Sequence, residues 1–333
     1  MFEAVILVCA LEGTPCREAL LPGFEAESAE ACDAALRRGG APPGARCRGA
    51  GEALAMDEVA PGVFVHRGLV EEPDASNRGD VANLGFVVGE RSVAVIDTGS
   101  AAWIGEALWR AIRQRSELPV SHVVLTHVHP DHVFGAGVFA GAEVVGHDGL
   151  GRALAERQEN YLESFSRLLG EAFLGTTAPV VDREIAESGE IDLGGRVLEL
   201  RAWPTSHTST DLTVVDRATG TLFAGDLVFD EHIPALDGSL RGWQAVLADL
   251  QGIEAARLIP GHGGPVLDWP EGGGPMARYL DLLASDTRAA IDAGERLAEA
   301  VQHIAQAEAG AWQLFEAFNA RNATVAFTEL EWE

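Results

Sequence analysis

Lysine is absent from this 333-residue chain, so all 24 basic residues are arginine, whereas aspartate and glutamate together number 51. The formal net charge at pH 7 is −27. Such an acidic surface repels the phosphates of nucleic acids and the head groups of anionic membranes. The composition therefore argues against nucleic-acid partners and against binding to anionic membrane surfaces.

Long apolar runs are also lacking. No stretch approaches the roughly 18 residues that a membrane span requires, so we predict no membrane insertion. The most hydrophobic N-terminal stretch, residues 4–11, follows Glu3 and no basic residue, which matches a secretory signal poorly. The poor match to a secretory signal leaves a cytoplasmic location open.

Cysteine does not occur after residue 47. All four cysteines lie in the first 50 residues: Cys9, Cys16, Cys32 and Cys47. No Cys-x-x-Cys pair is present, which makes a structural zinc site the weaker interpretation. We predict two disulfides that staple a small N-terminal module of residues 1–50, and hence an oxidising compartment. Buried free thiols in a cytosolic protein are the alternative. Four cysteines allow three pairings, and the sequence does not choose among them.

Beyond residue 50, apolar residues alternate between strand-like and helix-like periods, which indicates a layered α/β fold. The stretch 39–51, rich in glycine, proline and arginine, predicts a linker. The apolar side chains of the helical stretch 149–174 are expected to pack on the body of the protein rather than to line a substrate pocket. Strands are predicted at 2–10, 62–70, 81–89, 92–97, 123–125, 143–145 and 257–259 and in hairpins over 190–200 and 212–226; helices are predicted at 28–37, 102–114, 149–174, 239–250, 276–309 and 311–319.

The stretch from Ser121 to Gly137 concentrates the candidate metal ligands. A short β-branched run is followed within a few residues by His127, His129, Asp131 and His132. Histidines two residues apart on an extended loop can point their rings the same way and share one cation, and the Asp-His pair can hold a second. Two such ions can share a hydroxide and stabilise both ends of a hydrolytic displacement. The cluster therefore predicts a hydrolytic metal site.

Three further candidate ligands, His207, Asp226 and His262, each follow an apolar β-run and sit beside glycine, serine or threonine. This placement predicts that they gather with the first cluster at one edge of a sheet sandwich. His232, close to Asp226, is interpreted as structural, with contact to substrate as the alternative. His66, His122, His147 and His303 have no companions and are interpreted as structural.

The pattern His-x-His-x-Asp-His, then a lone His, then Gly-Asp, then Pro-Gly-His-Gly resembles the metallo-β-lactamase superfamily over residues 58–270. The resemblance implies an α/β fold, an αβ/βα four-layer sandwich at residues 51–333 with a helical C-terminal segment at about 275–325. It implies that His127, His129 and His207 bind one ion, that Asp131, His132 and His262 bind a second, and that Asp226 bridges them. Asp131 and Asp226 are the predicted catalytic residues, and Asp97 in Val-Ile-Asp-Thr-Gly is a structural neighbour of the metals.

Asp226 and the absence of lysine look more like the glyoxalase II branch than like zinc β-lactamases. The stretch 225–243, the cysteines and the closing Glu-Leu-Glu-Trp-Glu look like quinoprotein relay system metallohydrolases, relatives of a sulfur-oxidation-cluster protein. This narrower resemblance implies a periplasmic location and a possible dehydrogenase or cytochrome partner.

The leading functional hypothesis is a hydrolase with two zinc ions per chain, acting on a small ester, thioester or related acyl substrate. A mononuclear iron persulfide dioxygenase and a non-catalytic metal-binding accessory protein are the two alternatives. Iron or manganese can replace zinc in a His and Asp site, so the sequence leaves the native metal open. It also leaves the oligomeric state open.

Overall fold

The computed structural model describes residues 1–10 and 13–333. The first 50 residues form a separate antiparallel sheet of order β2–β1–β3, with one helix packed against it. Two disulfides, Cys9–Cys16 and Cys32–Cys47, cross-link these elements. The prediction of a disulfide-stapled N-terminal region is therefore confirmed. The elements are β1 (Phe2–Cys9), β2 (Cys16–Ala26), α1 (Ala29–Gly39) and β3 (Arg46–Gly49).

Helix α1 begins where the sequence predicts, because the Ser28 side chain accepts a hydrogen bond from the Ala31 amide and caps the first turn. The linker predicted at residues 39–51 is wrong in part. Arg46–Gly49 pairs with β1 as strand β3, held there by the Cys32–Cys47 disulfide. Strand β2 was not predicted, because its polar and apolar residues do not alternate cleanly.

The rest of the chain contains two sheets packed face to face. The first has seven strands in the order β10–β9–β8–β7–β6–β5–β4, and the second has five in the order β11–β12–β13–β14–β15. The strands of the first sheet are β4 (Asp57–Ala60), β5 (Val63–His66), β6 (Leu84–Val88), β7 (Val93–Ile96), β8 (Val120–Val124), β9 (Glu143–His147) and β10 (Arg183–Ile185). Those of the second are β11 (Ser188–Asp192), β12 (Val197–Ala202), β13 (Leu212–Asp216), β14 (Thr221–Phe229) and β15 (Arg257–His262).

Helices cover the outer face of each sheet. The helices are α2 (Ala102–Arg113), α3 (Pro130–Val133), α4 (Leu150–Leu169), α5 (Leu240–Gln251), α6 (Gly274–Asp292), α7 (Leu297–Ala300) and α8 (Phe315–Leu330). One apolar cluster lies between the sheets, a second between the seven-stranded sheet and α2 with α4, and a third between the five-stranded sheet and α5, α6 and α8. This order of layers confirms the predicted αβ/βα fold.

The central strands β7, β8 and β9 run parallel. All four residues of β7, Val-Ala-Val-Ile, are buried, as expected of a parallel strand covered on both faces. The carboxyl ends of β7 and β8 therefore meet at one edge of the sheet, and the loop that carries the metal-ligand motif leaves from there.

The C-terminal helices differ from the prediction. The stretch expected to be helical from 276 to 309 ends as α6 at Asp292, and the final helix begins at Phe315 and reaches Leu330. Positive φ angles at Gly294, Ala305 and Leu314 interrupt the helical path between α6 and α8. In the described ranges, every helix is too short or too polar to cross a lipid bilayer.

Candidate metal centre

The seven predicted ligands come from four segments of the chain at one edge of the sandwich. His127 and His129 follow β8, and Pro130 begins the short helix α3, which carries Asp131 and His132. His207 lies between β12 and β13, Asp226 lies within β14 and His262 ends β15. The fold thus gathers residues that are up to 135 positions apart in the sequence.

The first group of ligand atoms belongs to His127, His129, His207 and Asp226. The His129 Nδ1 atom lies 3.1 Å from His127 Nε2 and 3.0 Å from His207 Nε2. Three nitrogens bound to one tetrahedral zinc ion lie about 3.3 Å apart. The spacing therefore suits a single ion held by three imidazoles.

The second group belongs to Asp131, His132 and His262. The Asp131 Oδ2 atom lies 3.3 Å from His262 Nε2 and 3.8 Å from His132 Nε2. Two imidazoles and one carboxylate form a donor set that zinc, iron and manganese all accept.

Asp226 lies between the two groups and turns one carboxylate oxygen to each. Its Oδ2 atom is 3.6 Å from His127 Nε2 and 3.3 Å from His207 Nε2. Its Oδ1 atom is 3.2 Å from His132 Nε2 and 3.4 Å from His262 Nε2. A carboxylate in this position can bridge two ions.

Two of these ligand atoms are buried without a hydrogen-bond partner in the described part of the chain, His132 Nε2 and Asp226 Oδ1. Buried polar atoms are ordinarily paired, because an unpaired one loses its hydration without compensation. A cation between these two atoms would satisfy both. The residues present therefore fit a metal centre.

Asp97 holds the loop that carries the first motif. Its two carboxylate oxygens accept hydrogen bonds from the Thr126 amide and hydroxyl, each at 2.8 Å. Its Oδ2 atom also lies 2.8 Å from His132 Nδ1, which leaves Nε2 of the same ring free for a metal. Asp97 has a left-handed φ of 57°, so the backbone is held in a strained conformation at this contact.

The other histidines are oriented by acceptors as well. His207 Nδ1 lies 2.6 Å from the Ala235 carbonyl oxygen, and His262 Nδ1 lies 2.9 Å from that of Val81. A ring that donates from Nδ1 presents a lone pair at Nε2. Both rings are thereby set to bind a cation through Nε2.

His129 is oriented by a side chain that the sequence analysis gave no role. Its Nε2 atom lies 3.3 Å from Asp237 Oδ2. Asp237 is also paired with Arg157 from α4, and Arg321 Nη2 lies 3.7 Å from its Oδ1 atom. No spacing rule points from His129 to Asp237, which is 108 residues away, so only the fold reveals this contact.

The electrostatics of the cluster favour cations. Burial lowers the pKa of His207 to about 3, so this imidazole is neutral, as a metal ligand must be. Burial also lowers the pKa of His262, but Asp226 and Asp131 outweigh it and raise the value to about 9. The carboxylates thus draw positive charge into the site, and a bound metal would replace the proton.

A close backbone approach beside Asp226 requires glycine. A Cβ atom at Gly261 would lie 1.9 Å from Asp226 Oδ1, well inside contact distance. The Pro-Gly-His-Gly motif thus lets β15 pass directly beside the Asp226 carboxylate.

The centre opens into a cavity of about 350 Å³. Asp131, Asp226 and His262 lie at its base, and Tyr161 and Phe165 of α4 line one wall. The expectation that the stretch 149–174 packs only on the body is therefore wrong in part. Phe165 lines the cavity and also packs on the body of the protein, because its ring lies 6.1 Å from that of Phe134.

His232 also lines this cavity, which favours substrate contact over the structural interpretation. Its ring lies 5.2 Å from that of His262 and 5.0 Å from that of Phe318. The other four histidines lie outside the cluster; His66, for example, pairs with Asp80 at 2.8 Å and His147 Nε2 lies 3.1 Å from the Trp203 carbonyl oxygen.

Comparison with known proteins identifies the family from which these motifs come. The family model described as the metallo-beta-lactamase superfamily matches residues 77–262, more than half of the chain. The human metallo-beta-lactamase domain-containing protein 1 is 29% identical over 189 residues, which cover 53% of this chain and 59% of the human protein. The match thus spans little more than half the length of that relative.

Solved structures share the fold at low sequence identity. A metallo-beta-lactamase from Pontibacter korlensis has a TM-score of 0.56 at 22% identity, over 68% of this chain and 99% of its own. The sec-alkylsulfatase Pisa1 from Pseudomonas sp. has a TM-score of 0.62 at 16% identity, over 83% of this chain and 50% of its own. At these identities the likeness concerns the fold.

Proposed function

The chain belongs to the metallo-β-lactamase superfamily, and from this membership we propose that it is a metal-dependent hydrolase with two zinc ions, acting on a small ester, thioester or related acyl substrate. The observation that carries the proposal is the position of Asp226. One of its carboxylate oxygens faces each group of ligands, at 3.2–3.6 Å from the histidine nitrogens. An enzyme with one metal ion would require only one of these two groups of ligands.

His127, His129 and His207 would hold one ion, Asp131, His132 and His262 the other, and Asp226 would bridge. When bound, such ions supply a hydroxide nucleophile at neutral pH and polarise a carbonyl oxygen. Other side chains of the protein orient the ligand histidines. Asp97 orients the His132 ring, Asp237 orients the His129 ring, and Phe165 and Phe229 supply apolar surface to the cavity beside the ligands.

The cavity and the composition support the proposed substrate class. A volume of about 350 Å³ suits a small ligand. A bridging aspartate and a chain without lysine support an acyl hydrolase of the glyoxalase II type over a zinc β-lactamase. The narrower likeness to quinoprotein relay metallohydrolases, and with it a dehydrogenase or cytochrome partner, stays a prediction.

We propose a periplasmic location. The two disulfides support it, because such bonds persist in oxidising compartments. The expectation can be checked by fractionating the source cells and probing each fraction for the chain.

The function is tested by metal analysis and a substrate panel. We expect about two zinc ions per chain in protein purified without added metal, and hydrolysis of p-nitrophenyl esters or acyl thioesters. The Asp226→Asn variant should lose about one metal ion and more than about 100-fold of kcat/KM, since even residues that only orient ligands are worth about 10–100-fold. The exposed Asp249→Asn variant, whose side chain has no hydrogen-bond or ion-pair partner in the described residues, is the matched control.

Full turnover by a folded Asp226→Asn variant would overturn the proposal. About one iron per chain, together with oxygen uptake on glutathione persulfide, would favour the persulfide dioxygenase instead. Stable co-purification with a dehydrogenase whose function survives loss of the ligands would favour the accessory protein.

A further inference from the structure

A cavity of about 460 Å³, larger than the one at the metal centre, lies where the N-terminal module meets the metal-binding domain. We call it the junction cavity. Strands β2 and β3 contribute Arg17, Glu18 and Arg48, the connection 51–55 forms one side, and helix α2 contributes Trp103, Glu106 and Arg110. His66, Arg78 and Asp80 complete the lining.

Most charged groups of the junction cavity are neutralised by protein partners. Arg17 pairs with Glu106 at 2.9 Å, and His66 with Asp80 at 2.8 Å. Arg48 pairs with Glu3 and Glu18, and Arg110 pairs with Glu3, at 2.7–2.9 Å. These contacts leave no acceptor free on Glu3 and bind the module to α2.

Two charged side chains of the lining, one of each sign, make no hydrogen bond or ion pair with residues 1–10 or 13–333. They are Arg78 and Glu52, and both are exposed. Arg17 Nη2 is buried without a hydrogen-bond partner in the described residues, but the charge of Arg17 is paired with Glu106, so the charges that the cavity leaves unmatched are one guanidinium and one carboxylate. A ligand complementary to it carries one negative and one positive group.

Arg78 is held in place for such a contact. Its guanidinium carbon lies 4.0 Å above the centre of the Trp103 ring, and the Trp103 indole N–H donates to the Arg78 carbonyl oxygen at 3.0 Å. Stacking through its face leaves the in-plane N–H donors of the guanidinium free. The residue has a left-handed φ of 55°, a conformation that glycine adopts at lower cost.

We propose that the junction cavity binds a small zwitterion that carries a carboxylate and an ammonium group, such as an amino acid or a dipeptide. Arg78 would donate two parallel hydrogen bonds to the carboxylate, and Glu52 would accept from the ammonium. A phosphate dianion fits poorly, because Glu18 and Glu52 line the same cavity in a chain of net charge −27. The inference does not depend on the hydrolytic activity proposed above.

Isothermal titration calorimetry on the full-length protein tests the proposal. L-alanine, β-alanine and glycylglycine place the two charges at increasing separations, and acetate and methylammonium each supply one charge alone. We expect one of the zwitterions to bind at one site per chain, at least about 10-fold more tightly than either single-charge probe, since each charged hydrogen-bond pair adds about that factor.

Two variants, Arg78→Gln and Glu52→Gln, should each weaken that binding by about 10-fold or more. Two controls, Arg296→Gln and Glu254→Gln, remove the same charges from exposed side chains outside the cavity that are unpaired in the described residues, and they should leave the affinity unchanged. Metal content and ester hydrolysis should be the same in all four variants.

The proposal is overturned if none of the zwitterions binds, if acetate binds as tightly as the best of them, or if Arg78→Gln and Glu52→Gln retain the wild-type affinity. Loss of hydrolysis in a zinc-free preparation would bear only on the metal centre, so the two proposals fail separately.

Discussion

At the metal centre, two buried ligand atoms, His132 Nε2 and Asp226 Oδ1, have no hydrogen-bond partner in the described chain, although they lie 3.2 Å from each other. At the junction between the N-terminal module and the metal-binding domain, the buried Glu3 carboxylate accepts hydrogen bonds from both Arg48 and Arg110. Both regions bury carboxylate groups. At the junction the arginines of the protein neutralise them, whereas at the metal centre an external cation can do so. Unpaired buried charge marks a binding site, whereas paired buried charge holds two parts of the protein together.

The largest expected effect on stability comes from breaking the junction. In the Arg110→Ala variant, the nearly inaccessible Glu3 loses the partner that donates to it at 2.7 and 3.0 Å. Removing one member of a buried ion pair costs about 3–5 kcal/mol, and we expect a loss near the lower end of that range because Arg48 still donates to Glu3 Oε1. Urea denaturation should therefore show unfolding of the N-terminal region at lower urea, while the metal content per folded molecule stays the same.

The matched control for that variant is Arg91→Ala. Arg91 pairs with Asp192 at 3.2 Å, but the two side chains are 71% and 54% exposed. An exposed pair contributes about 0–1 kcal/mol. Equal losses in the two variants would contradict the distinction between buried and exposed pairs.

The disulfides should contribute next. Cys32–Cys47 closes a loop of 15 residues, and Cys9–Cys16 closes one of 7. The chain-entropy account gives about 3 kcal/mol for the longer loop and about 2 kcal/mol for the shorter. Paired Cys→Ser replacements should follow that order in urea denaturation, and metal content should not change. A loss of bound metal would show that the module supports the candidate metal centre.

A smaller effect, on metal affinity, is expected for Asp97→Asn. Asparagine keeps the shape but loses the charged oxygen that faces His132 Nδ1 at 2.8 Å. Residues that orient metal ligands are typically worth about 10–100-fold in affinity. Competition with a chelator should show that loss for one of the two proposed ions, and an Asp249→Asn control should show none. Unchanged affinity for both ions would rule out this role for Asp97.

The smallest expected effect is a pH dependence of the folding stability, which arises from His66 in the lining of the junction cavity. Burial lowers the pKa of His66, but the hydrogen bond and charge of Asp80 outweigh it, so the pKa is raised above its ordinary value. A raised histidine pKa stabilises the fold below pH 6.5, and this contribution is lost as the pH rises through the folded-state pKa. The urea midpoint should therefore fall slightly between pH 6 and pH 9.

The control for this titration is a pair of variants. His66→Asn should flatten the fall in the urea midpoint, whereas exposed His303→Asn should keep it. If both variants keep the wild-type slope, the pH dependence comes from another group.

Much of the fold could be predicted, because the apolar periodicity of β7, α2 and α5 is strong and their boundaries fall within a residue or two of those expected. Strand β3 could not be predicted, because its glycine- and arginine-rich sequence becomes a strand only through the disulfide and the pairing with β1. The end of α6 carries a glycine signal that the sequence analysis overlooked, because Gly294 follows the helix with a φ of 72°; the left-handed residues Ala305 and Leu314, which shape the chain before α8, carry no such signal.

The sequence by itself determined the family and the seven candidate ligands, because metal chemistry demands particular residue types at short, recognisable spacings. The tertiary structure alone decided which oxygen of Asp226 faces which group, that Asp237 orients His129, and that Arg78 and Glu52 remain unpaired across the junction cavity. These relations join residues far apart in the chain, and their distances are set by how sheets and helices pack rather than by local sequence.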